Sequence, residues 1–108
     1  MNADDKALYN GNEDLRVRLA REIHGALAGG IVVLMAWRPS SDYGTVLWRR
    51  TKRYDVDGGE LVEEEYGTHR FYEHPSGSGT VVLTMGEYFP VEEPEDYDDA
   101  LDSFKDRI

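Results

Sequence analysis

A chain of 108 residues has room for one ordinary domain and not for two. Its 40% hydrophobic and 11% aromatic content excludes a wholly disordered chain, and the absence of cysteine excludes disulfides, thiolate metal sites and a cysteine nucleophile. A net charge of −10, from 22 acidic and 12 basic residues, sets the surface as a whole against nucleic acid and anionic membranes and toward basic partners.

The start of the chain, Met1-Asn2-Ala3-Asp4-Asp5, is acidic and lacks the basic-then-apolar order of a secretory signal. The longest strongly apolar run, residues 31–37, falls far short of the roughly 18 residues a spanning helix needs. With no cysteine, these features predict a cytoplasmic protein with no membrane partner. The charge is segregated along the chain. Residues 16–53 carry eight bases and two acids, whereas residues 54–108 carry sixteen acids and three bases.

In chain order, the first predicted element is a helix over residues 13–28. Asn12 suits its cap, and Glu13 and Asp14 suit the positive end of its dipole. Leu15, Leu19, Ile23, Ala26 and Leu27 recur at helical spacing, Asp14, Arg18 and Glu22 sit four apart on the outside, and Gly29-Gly30 stops the helix. A short helical turn is expected over residues 3–10. Residues 31–37 are apolar throughout and rich in β-branched side chains, which reads as a central strand buried on both faces. Residues 39–42, Pro-Ser-Ser-Asp, read as a loop.

Residues 45–56 alternate, with Val46, Trp48, Arg50, Lys52 and Tyr54 on one face and Leu47, Arg49, Thr51 and Arg53 on the other. Asp57-Gly58-Gly59 is a hairpin turn, and residues 60–66 return as a strand that can run on to Glu73, with Gly67 as a bulge or kink. An Asp57-Gly58 loop sets Lys52 opposite Glu63 and Arg50 opposite Glu65. A Gly58-Gly59 loop sets Arg53 opposite Glu64 and Lys52 opposite Glu65. After a turn at residues 75–79, a fourth strand runs from Thr80 through Met85 to Phe89. Pro90 and Pro94 bracket a short linker, and residues 92–108 form an acidic C-terminal segment. Most of that segment, from Glu95 to Arg107, reads as a helix with Tyr97, Leu101, Phe104 and Ile108 as its apolar stripe. The expected fold is α+β in a single domain over residues 1–108: an N-terminal helix, a four-stranded antiparallel meander and an acidic C-terminal helix.

The familiar chemical constellations are missing. The glycines at 29–30, 58–59 and 77–79 carry no GxGxxG pattern and no following Lys-Ser/Thr. His69 and His74 stand five apart, on opposite faces of a strand, and His24 lies off the apolar stripe of its helix, so no metal is expected. Asp96 and Asp98 resemble the start of a calcium loop, but the required glycine is absent. Glu63, Glu64 and Glu65 alternate faces and make no preformed carboxylate pair. No Ser-His-Asp order or nucleophile elbow occurs, so neither catalysis nor a cofactor is expected. Trp48-Arg49-Arg50-Thr51-Lys52-Arg53-Tyr54 interleaves bases with aromatics as a nucleic-acid platform would. The neighbouring Glu60, Glu63, Glu64 and Glu65 cancel its field, which argues against direct nucleic-acid binding.

What remains is a binding module. Glu95, Asp99, Asp102 and Asp106 share one face of the last helix, and rows of carboxylates imitate phosphates in offering charge and acceptor oxygens to Arg and Lys. Tyr88 and Phe89 precede them and are the candidate aromatic anchors of the same surface. The size, acidity and lack of catalytic motifs are shared with small phage-borne inhibitors such as anti-CRISPR proteins and DNA mimics, and equally with toxin-immunity proteins. The expected function is therefore a non-enzymatic inhibitor that blocks a basic, nucleic-acid-binding protein. The alternatives are an immunity protein, a small homodimeric assembly protein, or an enzyme with an unrecognised site.

Overall fold

The computed structural model describes residues 13–38, 43–93 and 95–108. The cap at Asn12, the turn at residues 3–10, the loop at residues 39–42 and Pro94 lie outside them. The elements are α1 (Glu13–Ala26), β1 (Ile31–Arg38), β2 (Tyr43–Val56), β3 (Gly59–Glu73), β4 (Val81–Pro90) and α2 (Glu95–Arg107). The strands form one sheet in the order β1-β2-β3-β4, antiparallel throughout. This is the expected α+β meander, because connections of a few residues allow only antiparallel neighbours.

The alternation of β2 sends its side chains into two cores. Val46 and Trp48 join Leu15, Leu19, Ile23 and Leu27 of α1, with Met35, Phe71 and Val81 completing that cluster. Leu47, one residue out of phase, meets Ala100 and Phe104 of α2 on the opposite face, where Tyr97, Leu101, Ile108, Tyr66 and Phe89 pack around them. Each helix thus covers one face of the sheet, as its apolar stripe requires. Ala26, placed on the stripe of α1 by its spacing, is exposed in the last turn of the helix.

The end of α2 is held by the sheet. Thr45 Oγ1 and Arg70 Nε donate to the Arg107 carbonyl at 3.2 and 3.1 Å, and the Tyr43 hydroxyl donates to the Ile108 carbonyl at 3.1 Å. These bonds satisfy carbonyls that a helix C-terminus leaves without intrahelical donors, and the Arg70 cation sits at the negative end of the dipole. At the other end Asp96 Oδ2 accepts from the Glu92 and Glu93 amides at 2.7 and 2.9 Å, with Glu93 and then Glu92 holding its carboxyl below the usual range.

The β2–β3 register runs Val56↔Gly59, Lys52↔Glu63 and Arg50↔Glu65, so Asp57-Gly58 is the loop. Gly58 has φ 90°, the left-handed value the turn needs. Strands of 14 and 15 residues outrun their neighbours. Beyond Arg50 and Glu65 the hairpin leaves both β1 and β4 behind and projects as a two-stranded arm. At about 3.3 Å per residue, β3 alone spans about 50 Å, matching the 52 Å long axis of the molecule.

Two expectations fail. Residues 31–37 do not form a central strand buried on both faces. β1 is an edge strand, and Ile31 and Val33 are 56% and 36% exposed. An unbroken apolar run fits an edge as well as a centre, and sheet order is set by the meander rather than by the run. Gly67 is no bulge either. β3 passes through it in register with β2, and the irregularities lie between Val32 and Leu34 and between His69 and Phe71.

Candidate functional site

On α2, burial of Tyr97, Ala100, Leu101, Ser103 and Phe104 leaves the other side to solvent, and Glu95, Asp99, Asp102 and Asp106 are all exposed there. Asp98, omitted from the sequence-based set although its spacing places it beside them, is exposed with them. Among the described residues no cation stands within ion-pair distance of these five carboxylates. The face also extends past the helix. The Val91 amide donates to the Glu64 carbonyl at 2.8 Å, which sets Glu64 of β3 beside exposed Glu92 and Glu93. Glu64 is opposite Thr51, on the α2 side of the sheet. Acids from the base of the arm, the linker and the helix therefore make one strip.

The basic middle of the chain behaves differently, since four of its eight cations, Arg18, Arg50, Lys52 and Arg53, are engaged in ion pairs. Arg50 Nη2 lies 2.8 Å from Glu65 Oε1 and Lys52 Nζ 3.6 Å from Glu65 Oε2, around a carboxylate only 11% exposed. Arg53 pairs with Glu60, and Arg18 with both Asp14 and Glu73. The Asp14–Arg18 pair was legible from spacing, while among the described residues Glu22 is in no ion pair. The Trp48–Tyr54 stretch thus builds the cross-strand ladder rather than an open platform.

The two aromatics expected beside the acids go to opposite faces. Phe89 is half-buried under α2 in its core. Tyr88, its neighbour in the strand, points to the α1 side and meets Trp48 and His69 edge-on, with ring centroids 5.6 and 5.7 Å away. The structure brings Glu95, Asp99, Asp102 and Asp106 together but leaves Tyr88 across the sheet from them.

Around Tyr88 stands a second constellation. Trp48 Nε1 donates to His69 Nδ1 at 2.9 Å, which assigns the proton of the neutral imidazole to Nε2. The two rings stack at 5.9 Å, and the Arg50 guanidinium lies 5.4 Å from the Trp48 ring and 6.0 Å from Tyr88. Both large rings lie flat on the sheet because glycines stand beneath them. A Cβ at Gly67 would collide with the Trp48 indole, and one at Gly86 would come within 2.5 Å of His69 Nε2. Burial, and then the charge of Arg107, push the His69 pKa below 6.5. Spacing had placed His69 and His74 on opposite faces. His69 is buried, and His74 is exposed beyond the strand, bonded through Nδ1 to the Ser76 hydroxyl.

Among the described residues no three His, Asp or Glu side chains converge as a metal site would require, and no helix is long and apolar enough to cross a membrane. Taken together, fold and surface define a small α+β meander with a helix on each face and an unpaired acidic strip. Comparison with family models, with curated proteins and with solved structures finds no match.

Proposed function

We propose that this protein is a non-enzymatic binding protein whose acidic strip occupies the basic, nucleic-acid-binding surface of another protein. The observation that carries this reading is the row of five exposed α2 carboxylates with no cation within ion-pair distance among the described residues. Clustered like charges repel, so the arrangement costs folding stability and is not explained by the fold's own needs. On a basic groove the same carboxylates would accept charge-assisted hydrogen bonds in place of phosphates. The strip is rigid because α2 is held at its C-terminus by Tyr43, Thr45 and Arg70. Rigidity lowers the ordering cost of association. Tyr88 stands across the sheet from this surface, and Phe89, on the same side as the acids, is half-buried beneath α2.

The experiment is capture of proteins from native-host lysate on the immobilised wild type, and on a variant with Glu95→Gln, Asp99→Asn, Asp102→Asn and Asp106→Asn. A protein held by the wild type, lost with the variant and displaced by duplex DNA supports the reading. Equal capture by a correctly folded variant removes the strip from the mechanism.

A further inference from the structure

The two edges of the sheet are built differently. At β4, the Arg107 guanidinium caps the Met85 carbonyl at 3.3 Å and pairs with Glu87 at 3.0 Å, and the strand ends in Pro90. Charge, proline and a covering side chain are the usual means by which an edge is kept from pairing. β1 has no proline and no charged residue before Arg38, and its single irregularity is the bulge at Val33. From Leu34 to Arg38 the strand is regular. Beside this edge runs a groove of about 970 Å³ between β1 and α1. Val17 and Ala20 line it from the helix, residues 30–35 from the strand, and Val17, Ile31 and Val33 are 44%, 56% and 36% exposed.

We infer that this edge is an interface with a second copy of the chain, β1 pairing antiparallel with β1 of the other copy about a two-fold axis to give a continuous eight-stranded sheet. Charge selects this occupant. Residues 13–38 hold four arginines against three acids, whereas the rest of the chain carries the whole negative excess. Two molecules of net charge −10 can approach through this face with least repulsion, because α2 packs over the sheet toward β2, β3 and β4. The face is also complementary to itself. The groove has Glu13 and Arg16 at one end of α1 and His24 at the other, and a two-fold axis brings Glu13 of one copy toward His24 of its mate, with the two helix dipoles opposed. Eight residues at about 3.3 Å give a seam about 26 Å long. With strand and helix layers together about 20 Å deep, the face covers about 520 Å² per partner, or about 1,000 Å² in total, the lower end for a specific interface. The inference is independent of what the acidic strip binds.

The test is sedimentation of the full chain at about 10 and 100 μM, since a dimer's population rises with concentration. The expected mass is twice 12.3 kDa, and Ile31→Lys with Val33→Lys, both at exposed positions, should weaken association about 100-fold or more. A wild type that stays monomeric at the higher concentration, or a dimer untouched by the two lysines, overturns the inference. The chain has no cysteine, so single cysteines report proximity without background. With a bis-maleimide linker that reaches about 10 Å, Val33→Cys should give a covalent dimer and Met85→Cys, at the other edge, should not. The reverse pattern, or equal trapping at both edges, also overturns it. This conservative pair keeps the test decisive even if the double lysine variant fails to fold.

Discussion

Gly67 lacks a side chain for the sake of a residue on the neighbouring strand, because the Trp48 indole lies where its Cβ would be. Gly67→Ala should therefore cost at least about 2 kcal/mol in denaturant unfolding, the scale of overpacking a core. Such a close approach is invisible in sequence. A glycine inside a strand pattern signals either a bulge or a neighbour's ring, and only the β2–β3 register decides between them. His69 gives the second prediction at this scale. Its bond to Trp48 needs a neutral Nδ1, and burial, with Arg107, lowers its pKa. The unfolded state therefore takes up the proton first as pH falls. The contribution to stability is whole above about pH 6.5, is lost progressively below it, and levels off once pH passes the lower folded-state pKa. Melting temperature between about pH 7.5 and 5.5 should fall more steeply in the wild type than in His69→Gln, which keeps an acceptor but does not titrate. Equal slopes would remove His69 from the pH dependence.

Among elements, the β2–β3 hairpin divides at Arg50 and Glu65. Below that level it lies inside a four-stranded sheet between two helices; above it, it is a pair of strands with Tyr54, Val56, Leu61 and Val62 all more than 40% exposed. A two-stranded ribbon is marginal in water. Amides of residues 53–62 should therefore exchange by local opening well before those of residues 44–49, as hydrogen exchange can measure. Equal protection along β2 would mean that the arm is held by something beyond its own ladder. Arg50→Met would leave the Glu65 carboxylate, 11% exposed, with only Lys52 at 3.6 Å. That should cost about 2 kcal/mol, below the range for breaking a fully buried pair. The hairpin was legible because the turn glycines and the facing charges agree, and the basic–acidic complementarity held even though two registers satisfied it. The position of β1 was not legible. Its apolar run encodes burial of several side chains, but which strands flank it depends on a meander that any of the four strand patterns could have ended. Tyr88 and Phe89 were separated by the simplest property of a strand: consecutive residues face opposite ways.

For the whole molecule, the decisive property is where the charge sits. Four of the eight bases in the middle of the chain, Arg18, Arg50, Lys52 and Arg53, are engaged in ion pairs, and acids of its C-terminal half are left outward on α2, the linker and the base of the arm. Neutralising Glu95, Asp99, Asp102 and Asp106 removes four of the ten net negative charges. It should leave melting temperature unchanged or raise it by a few degrees in low salt, an effect that shrinks as the Debye length falls to about 3 Å near 1 M. Binding through the acidic strip is tested by combining that variant with salt. Wild type and variant are immobilised side by side, and capture from native-host lysate is followed from about 50 to 500 mM salt, with duplex DNA as competitor. A basic protein should be retained by the wild type at low salt, released steeply as salt rises, displaced by DNA, and not retained by the folded variant. Retention by the variant equal to that of the wild type, or a captured protein indifferent to both salt and DNA, would contradict binding through the strip.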